Sequence, residues 1–553
     1  TGTRNTAVGS EAADAINTGQ DNTAIGSLAL SADTKGNFST AIGRGALKTQ
    51  NFTSSTSAHN TAVGYSAGEL ITTGVKNTII GSLAGDAITT GDNNTATGQG
   101  ALSANTTGNN NTAIGLNALV SNTTAENNTA VGYTALNANT TGARNTSIGM
   151  NTLFDNTTGA ENTALGVSAL ANNTTADYNT AIGRAALELN TTGTRNVAVG
   201  ALALDANTTA SNNNAVGYSA LSANTTGQGN QAFGDSALAA NTTAGSNTAM
   251  GNFAMSANTT GAENVAVGAI SLDANTTASN NTAIGYAALT ANTTGHSCVG
   301  VGHSALAANT TALSNTAVGA SALLVNTTGD ENTAVGTGCL DANTTGHDNT
   351  AIGHRALGAN TTGQQNTAVG NDALDANTTA DFNTAVGFGT LGVCTTGDKN
   401  TAVGMSAGAA ITTGSRNTIV GVDSSNQITT GSDNTAMGFD SLTRCTTGGN
   451  NVAIGKDAAD NITSGGNNTC LGHDAGTNIT QGDNNICIGN DAKISSEASA
   501  NEICIGIGFN GVGSNSFAFG KSSNVVSNDF DANATFARNS DLHKKTNIEN
   551  TDL

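Results

Sequence analysis

The 553-residue chain has no proline and no tryptophan, and aromatic residues make up only 3% of it. Without proline every residue keeps a backbone N–H to donate, which suits a hydrogen-bond ladder running unbroken along the chain. Charged residues are 10% of the total, against about a quarter in an ordinary globular domain. The formal net charge is -21, with no basic cluster and no basic stretch interleaved with aromatics. That speaks against nucleic acid or an anionic membrane surface as a partner, and mainly favours solubility. No apolar run reaches membrane-spanning length and no stretch has the signal-peptide pattern, so membrane insertion is not expected. The seven cysteines do not stand at the spacings of a disulfide framework.

What is present is a repeat. "NTAVGYTALNANTTGAR" at 128–144 returns as "NTSIGMNTLFDNTTGAE" from 145 and "NTALGVSALANNTTADY" from 162. With the Asn of "NTAVG" as position 1, units begin at residues 5, 22 and 39, then at 60, 77, 94 and every seventeenth residue through 502, thirty in all. The one irregularity is four extra residues between 43 and 60, inside "KTQNFTSSTSAH". A stacked array in which each unit touches only its neighbours is the natural reading. The expected organisation is repeats over 1–508, a terminal coil and connector over 509–539, and a further segment over 540–553. The chain opens without Met on "TGTRN", the tail of a unit, and reads as an internal fragment of something longer.

Helix is unlikely because Gly at position 5, usually Gly at 15, and Asn and Thr at 12 to 14 break any helical stripe. The expected class is all-β: a parallel β-roll or β-solenoid of about thirty 17-residue coils. "TAV" reads as one strand, Gly as a turn, "ALxA" as a second strand and "NTTG" as the return. Position 5 is Gly in all thirty units, Gly132 among them, which implies a positive φ or a backbone approach too close for a Cβ. Position 15 alternates from Gly159 to Gly329 with Ala176, Ala210, Ala244, Ala278 and Ala312 between glycines. That argues against an obligatory left-handed conformation there, and for growth by duplication of paired units.

Seven units carry Ile at position 12 (Ile71 is one), and in all seven position 9 is small (Gly68 beside Ile71). Where position 9 is Leu, as at Leu136 and Leu391, position 12 is Asn, Asp, Gln or Cys, as at Asn139 and Cys394. Bulk traded between two positions implies that both fill one space of fixed volume. Positions 9 and 12 are therefore expected to meet inside the coil, with position 4 (Val131, Ile114, Phe233) as the other filler. Position 3 is nearly always Ala, as at Ala130, sometimes Ser or Cys, and Ile at residue 79. It should face away from position 4 and pack on a neighbour, most simply a second copy of the chain.

Little catalytic chemistry is legible. Cys470, Cys487 and Cys504 share position 3 one coil apart, and Cys394 and Cys445 share position 12, which reads as small buried residues. A stacked metal site would lack histidine at ligand spacing. His296 and His303 flank Cys298 but fall at variable positions 16 and 6, which are expected to be exposed. Asp and Glu gather at positions 7, 10, 11, 16 and 17 and read as a solvated face, so no glycosidase cleft is supported. No metal and no cofactor is expected. The many "NTT" triplets match a glycosylation acceptor, but in so regular a repeat stacked Asn and Thr ladders are the stronger expectation. Adjacent threonines at 13 and 14 do not make the every-other-residue array of an ice-binding face.

The "NTAVG" and "SALxANTTG" blocks resemble, over nearly all of 1–508, the head repeats of trimeric autotransporter adhesins, whose own repeat is usually somewhat shorter. The resemblance implies a left-handed parallel β-roll, with three chains side by side and small residues at the trimer interface. The terminal "NSDLHKKTNI" resembles the opening of the intramolecular chaperone domain found behind phage tail fibres and endosialidases. That resemblance implies self-cleavage between Ser540 and Asp541, with Ser540 as nucleophile and Lys545 as the lysine that activates it. His543 stands where that family usually carries Arg, and only the beginning of such a domain is expected in 540–553.

The function expected from these readings is mechanical: thirty coils at roughly 4.8 Å make a rod on the order of 140 Å. The chain reads as the shaft of a homotrimeric extracellular fibre, of a virion or a cell surface, presenting an adhesion or receptor-binding element. The alternative is an adhesin whose repetitive flank itself binds glycans or surfaces. An enzyme is not expected beyond one self-cleavage at Ser540.

Overall fold

A computed structural model describes residues 2–531 and the backbone of 537–539. The chain falls into two compact units, Thr1–Asn280 and Asn281–Leu553, with the boundary between one repeat and the next. Both are all-β, and no helix occurs among the described residues. In the first unit three-residue strands recur once per repeat from Thr6–Val8 to Val265–Val267, and each pairs in parallel with the next. The register is strict, with Thr129 opposite Thr146, Ala130 opposite Ser147 and Val131 opposite Ile148. The second unit repeats the pattern from Thr282–Ile284 to Ile503–Ile507. Each unit is thus a parallel β-solenoid with one coil per 17 residues.

The four-residue insertion is absorbed without loss of register. Ala41 lies opposite Ala62, while Gly36–Asn37 and Thr56–Ser57 pair as an extra ladder. At position 12, Gln50 donates from Nε2 to Asp33 Oδ2 (2.8 Å) and accepts from Asn60 Nδ2 (2.8 Å), stitching the coils across the insertion. The second unit ends differently. Ser516–Lys521 continues the parallel ladder on Ile503–Ile507, then turns back through an antiparallel hairpin with Asn524–Asp529.

The expected second strand is not a strand. Positions 5 to 11 form consecutive turns, because positions 7 and 9 adopt left-handed backbone: Thr134 has φ 50° and Leu136 φ 54°. Position 17 does the same, at Arg144 with φ 58°. Left-handed leucine costs on the order of 1–2 kcal/mol, and the site compensates in two ways. Leu136 is fully buried, and its N–H donates to Thr152 O of the next coil at 2.9 Å. Alternating backbone handedness also alternates the direction of bonding. Gly132 and Thr134 donate to Ile114 and Leu116 of the coil before, whereas Leu136 and Ala138 donate to Thr152 and Phe154 of the coil after.

All thirty position-5 glycines have positive φ, between 125° and 149°. They also meet the neighbouring backbone: a Cβ on Gly132 would lie 2.4 Å from Gly149 O and 2.6 Å from its carbonyl carbon. Both reasons expected for glycine therefore hold together. Position 15 is not left-handed, and Ala176 and Ala380 are buried there.

The traded volume is where the repeat pattern placed it. A Cβ on Gly68 would lie 2.9 Å from Ile71 Cδ1 and 3.2 Å from Leu47 Cδ2, so Ile at position 12 occupies the space that Leu fills from position 9. The other filler is not position 4. Ala130 and the position-3 column beyond the first coil are fully buried, whereas Ile114 and Phe233 at position 4 are exposed by 40% and 38%. The parity expected for the strand is reversed. A 17-residue coil closes on Leu136, Asn128 and Asn139, leaving room for a methyl group at Ala130 and Ala135 and none for valine. Ile79 fits only because position 9 of its coil is Gly85, where a Cβ would lie 3.0 Å from Ile79 Cδ1.

In the commonest form of the coil two buried asparagines complete it. Asn128 Nδ2 donates to Gly142 O (2.9 Å) and its Oδ1 accepts the Asn145 N–H (2.9 Å). Asn139 Nδ2 donates to the same Gly142 carbonyl (2.9 Å) and to Asn122 Oδ1 of the coil before (2.9 Å). Thr140 Oγ1 donates to Thr157 O (3.1 Å). These are the expected side-chain ladders. Where Cys394 or Cys445 replaces Asn at position 12, the thiol donates to the equivalent carbonyl, Gly397 O or Gly448 O, at 3.4 Å.

Gly132→Ala is expected to destabilise its coil by on the order of 3 kcal/mol; Gly346→Ala, whose Cβ would also lie 2.4 Å from the next coil's carbonyl oxygen but which needs no left-handed backbone and would stand between glycines as Ala380 does, should cost less, about 1 kcal/mol. Hydrogen exchange of the amides in each mutated coil reads the difference as local opening. Leu136→Gly alone leaves a cavity and Asn139→Ile alone overfills the coil. The double variant recreates the pairing of Gly68 with Ile71, so a double-mutant cycle is expected to give a favourable coupling on the order of 2 kcal/mol.

Candidate functional site

With the interior filled by positions 1, 3, 8, 9, 12 and 15, the chemistry available to a partner is what the coils turn outward. The dominant feature is position 4. It is apolar in every coil except that of Thr97, and its side chains stand on the solvent face of the strand: Ile25, Ile80, Ile148, Leu165, Met250, Ile352 and Leu471 are all exposed. Strand alternation puts position 2, usually Thr, on the same face. Each unit therefore carries a row of apolar side chains, broken in the first unit only at Thr97 and repeated at the strand spacing of roughly 4.8 Å. The parity chosen for the strand hid this row in the sequence. A signal was present: Ile79 and Ile419, the bulky residues at position 3, occur in coils whose position 9 is small, Gly85 and Ser425. Position 3 thus belongs to the same interior volume as 9 and 12. Ser147 and Thr152 say the same in polar terms, since at positions 3 and 8 of one coil they hydrogen-bond at 2.6 Å inside the core.

Position 6, just past the glycine, is also exposed and forms its own ladder. Tyr286 stacks on His303 with ring centroids 5.3 Å apart, and the Arg44 guanidinium lies 5.7 Å from the Tyr65 ring. His296 and His303 are exposed while Cys298 is buried, so these three do not converge. The Cys298 thiol donates instead to Ala312 O at 3.3 Å. All seven cysteines are buried and free. Burial pushes the Cys298 and Cys394 thiols up to about 11 and that of Cys445 to about 12. Cys487 and Cys504 are raised first by hydrogen bonding along their column. Thiols so shifted supply no nucleophile near neutrality.

Acidic side chains are more ordered than their scatter in the sequence suggests. Asp423, Asp440, Asp457, Asp474 and Asp491 occupy position 7 of five successive coils. Beside them, donor atoms of Asp457, His473 and Asp474 lie within 4.8 Å of one another, close enough to share a cation. The group is already engaged: Lys456 Nζ sits 2.5 Å from Asp457 Oδ2, and His473 Nδ1 lies 2.9 Å from Asp474 Oδ2. Ser540, Asp541 and Lys545 lie outside the described residues. No helix among the described residues is long and apolar enough to cross a membrane.

The position-10 carboxylates carry an electrostatic cost. Asp86 and Asp205 each have one buried oxygen with no hydrogen-bond partner. Burial first, and then the charge of Glu69 or Glu188 one coil earlier, raises both above the ordinary value of 3.8. A carboxyl raised in the fold binds its proton more tightly there than in the unfolded chain, so stability falls as pH rises from 3.8 through the raised value. Asp21 and Asp433 are lowered by Arg4 and Arg416, but these pairs are exposed and act only below that window. The thermal unfolding midpoint is therefore expected to climb as pH is lowered from neutral into the window above 3.8. Asp86→Asn with Asp205→Asn should flatten that profile and raise the midpoint at neutral pH. Scanning calorimetry across pH checks both.

Comparison of the chain with models of known protein families and with curated protein sequences finds no match.

Proposed function

We propose that this chain is a structural segment of an extracellular fibre, in which copies lie side by side along their position-4 faces and carry an adhesion or receptor-binding element. The observation that carries the reading is the exposed apolar row itself. At roughly 50 Å² of apolar surface per coil, the fifteen apolar position-4 side chains of the first unit offer on the order of 750 Å², about one side of a stable interface. Monomers rarely leave such a row in water. A partner that covers it must present apolar groups at the same spacing over many coils, and a second copy of the chain does so by construction. The contact is then isologous or cyclic, and it closes when the copies wrap around a common axis.

Three copies is the number implied by the resemblance to trimeric autotransporter heads, and a virion or cell-surface location follows from the same source. The interface belongs to the apolar position-4 column and not to the small residues of position 3. Release of a terminal chaperone by cleavage between Ser540 and Asp541 is part of the same proposal, with Lys545 activating Ser540.

The mass of the native particle tests the reading directly. Three times the chain mass, on a thin rod in the electron microscope, is the expected result, and Ile148→Glu together with Leu165→Glu should lower that mass. A monomer whose position-4 row stays solvent-exposed overturns it.

A further inference from the structure

Thirty nearly equal coils pose a problem for side-by-side copies. Within either unit, sliding one copy along another by a single coil replaces nearly every position-4 contact with an equivalent one, Thr97 aside, and only that unit's end coils lose their partners. Something that does not repeat has to set the axial offset.

Position 6 supplies it. Over most of the chain this position changes character from coil to coil, but in two places it is apolar in four successive coils: Leu116, Tyr133, Met150 and Val167 in the first unit, and Phe388, Met405, Val422 and Phe439 in the second. All eight side chains are exposed. Both blocks are framed alike, by an amide before (Gln99, Asn371) and a cation after (Arg184, Lys456). The outer face at position 6 is continuous with that of position 4. In the longest repeat strand, Ile503–Ile507, Ile505 and Ile507 are exposed on either side of Gly506 while Cys504 is buried. Ladder bonding also carries past the glycine, where Gly132 and Thr134 donate to Ile114 and Leu116. At each block the apolar row is therefore two columns wide for four coils.

We propose that these two blocks are register keys, which make a second copy of this chain dock coil on matching coil. The inference rests on the self-association read above and specifies its geometry. With zero offset, each wide block faces its counterpart, and Arg184 and Lys456 stay at the block edge, where long side chains reach solvent. Lys456 already does so, lying 5.9 Å from the Phe439 ring centroid while paired with Asp457. A slip of one coil sets Arg184 against an apolar neighbour in one block and Lys456 in the other. Arg184 would then be stripped of water without a partner, and Lys456 would lose its hydration with only Asp457 to offset the cost. A slip in the opposite sense does the same from the other chain's side. The penalty acts against the wrong offset rather than for the right one.

A photo-cross-linking amino acid placed at Tyr218, exposed at position 6 and outside both blocks, tests this in full-length chains mixed from light and heavy isotope stocks. In the parent, links between chains should fall on the partner's own coil, 213–229. Changing all eight block residues to Ser, at exposed positions that leave the coil interior intact, should add links displaced by one or more 17-residue steps in comparable yield. Arg184→Met with Lys456→Met, which lengthens each block by one coil, should favour single-step slips. Circular dichroism confirms that the variants keep the parent fold. Links confined to one coil in both variants, or spread over several coils in the parent, overturn the register key while leaving self-association intact. A parent that gives no interchain links and runs as a monomer overturns self-association itself.

Discussion

Most backbone groups of a coil this thin find their partners in the coil above or below, because the interior is filled by buried side chains and offers no second layer. The strand ladder serves positions 2 to 4 and the left-handed turns serve 5 to 11. At the return of each coil asparagine supplies what the backbone alone does not. Asn128 and Asn139 converge on the carbonyl of Gly142 while linking to the coils on either side. Removing one buried amide of this kind leaves its partner unsatisfied, at about 1–3 kcal/mol. The fold thus depends less on a large apolar core than on closed polar columns, and the fully buried residues in most coils are one leucine, small residues and asparagines.

That dependence explains the uniformity of the sequence. Each coil is both the template for the next and the cap of the one before, so a side chain wrong in one coil is wrong for three. Glycine at position 5 is the sharpest instance, since its Cβ would enter the next coil's backbone. Variation survives where two changes cancel inside one coil, as with Gly68 and Ile71 or Ser147 and Thr152, and where side chains point outward. Stability in such an array is a sum of local and nearest-neighbour terms, which keeps these exchanges local.

The outer face divides the labour. Position 4 is monotonous and apolar, and suits repeated contact with another copy. Positions 7 and 10 gather carboxylates, some of them raised by burial as at Asp86 and Asp205, and keep the remaining surface hydrated and like-charged. Position 6 varies from coil to coil, and only in two places is it apolar in four successive coils.

The period, the insertion before Asn60, the requirement for glycine at position 5 and the shared volume of positions 9 and 12 were all determined by the sequence alone. Each is a regularity or a compensation that recurs often enough to expose its cause. The tertiary structure decided which side of the strand turns inward, for which the sequence held only the trade at Ile79 and Ile419. A three-residue strand with Ala130 and Val131 at adjacent positions is consistent with either parity, and by size the larger apolar residue is the natural core. The closed coil reverses that choice, because Leu136 and the two asparagines consume the interior and leave space for a methyl group. The left-handed leucine was likewise illegible, since no local preference calls for it. It follows from turning the chain back on itself within 17 residues while still pairing each N–H with a neighbouring coil.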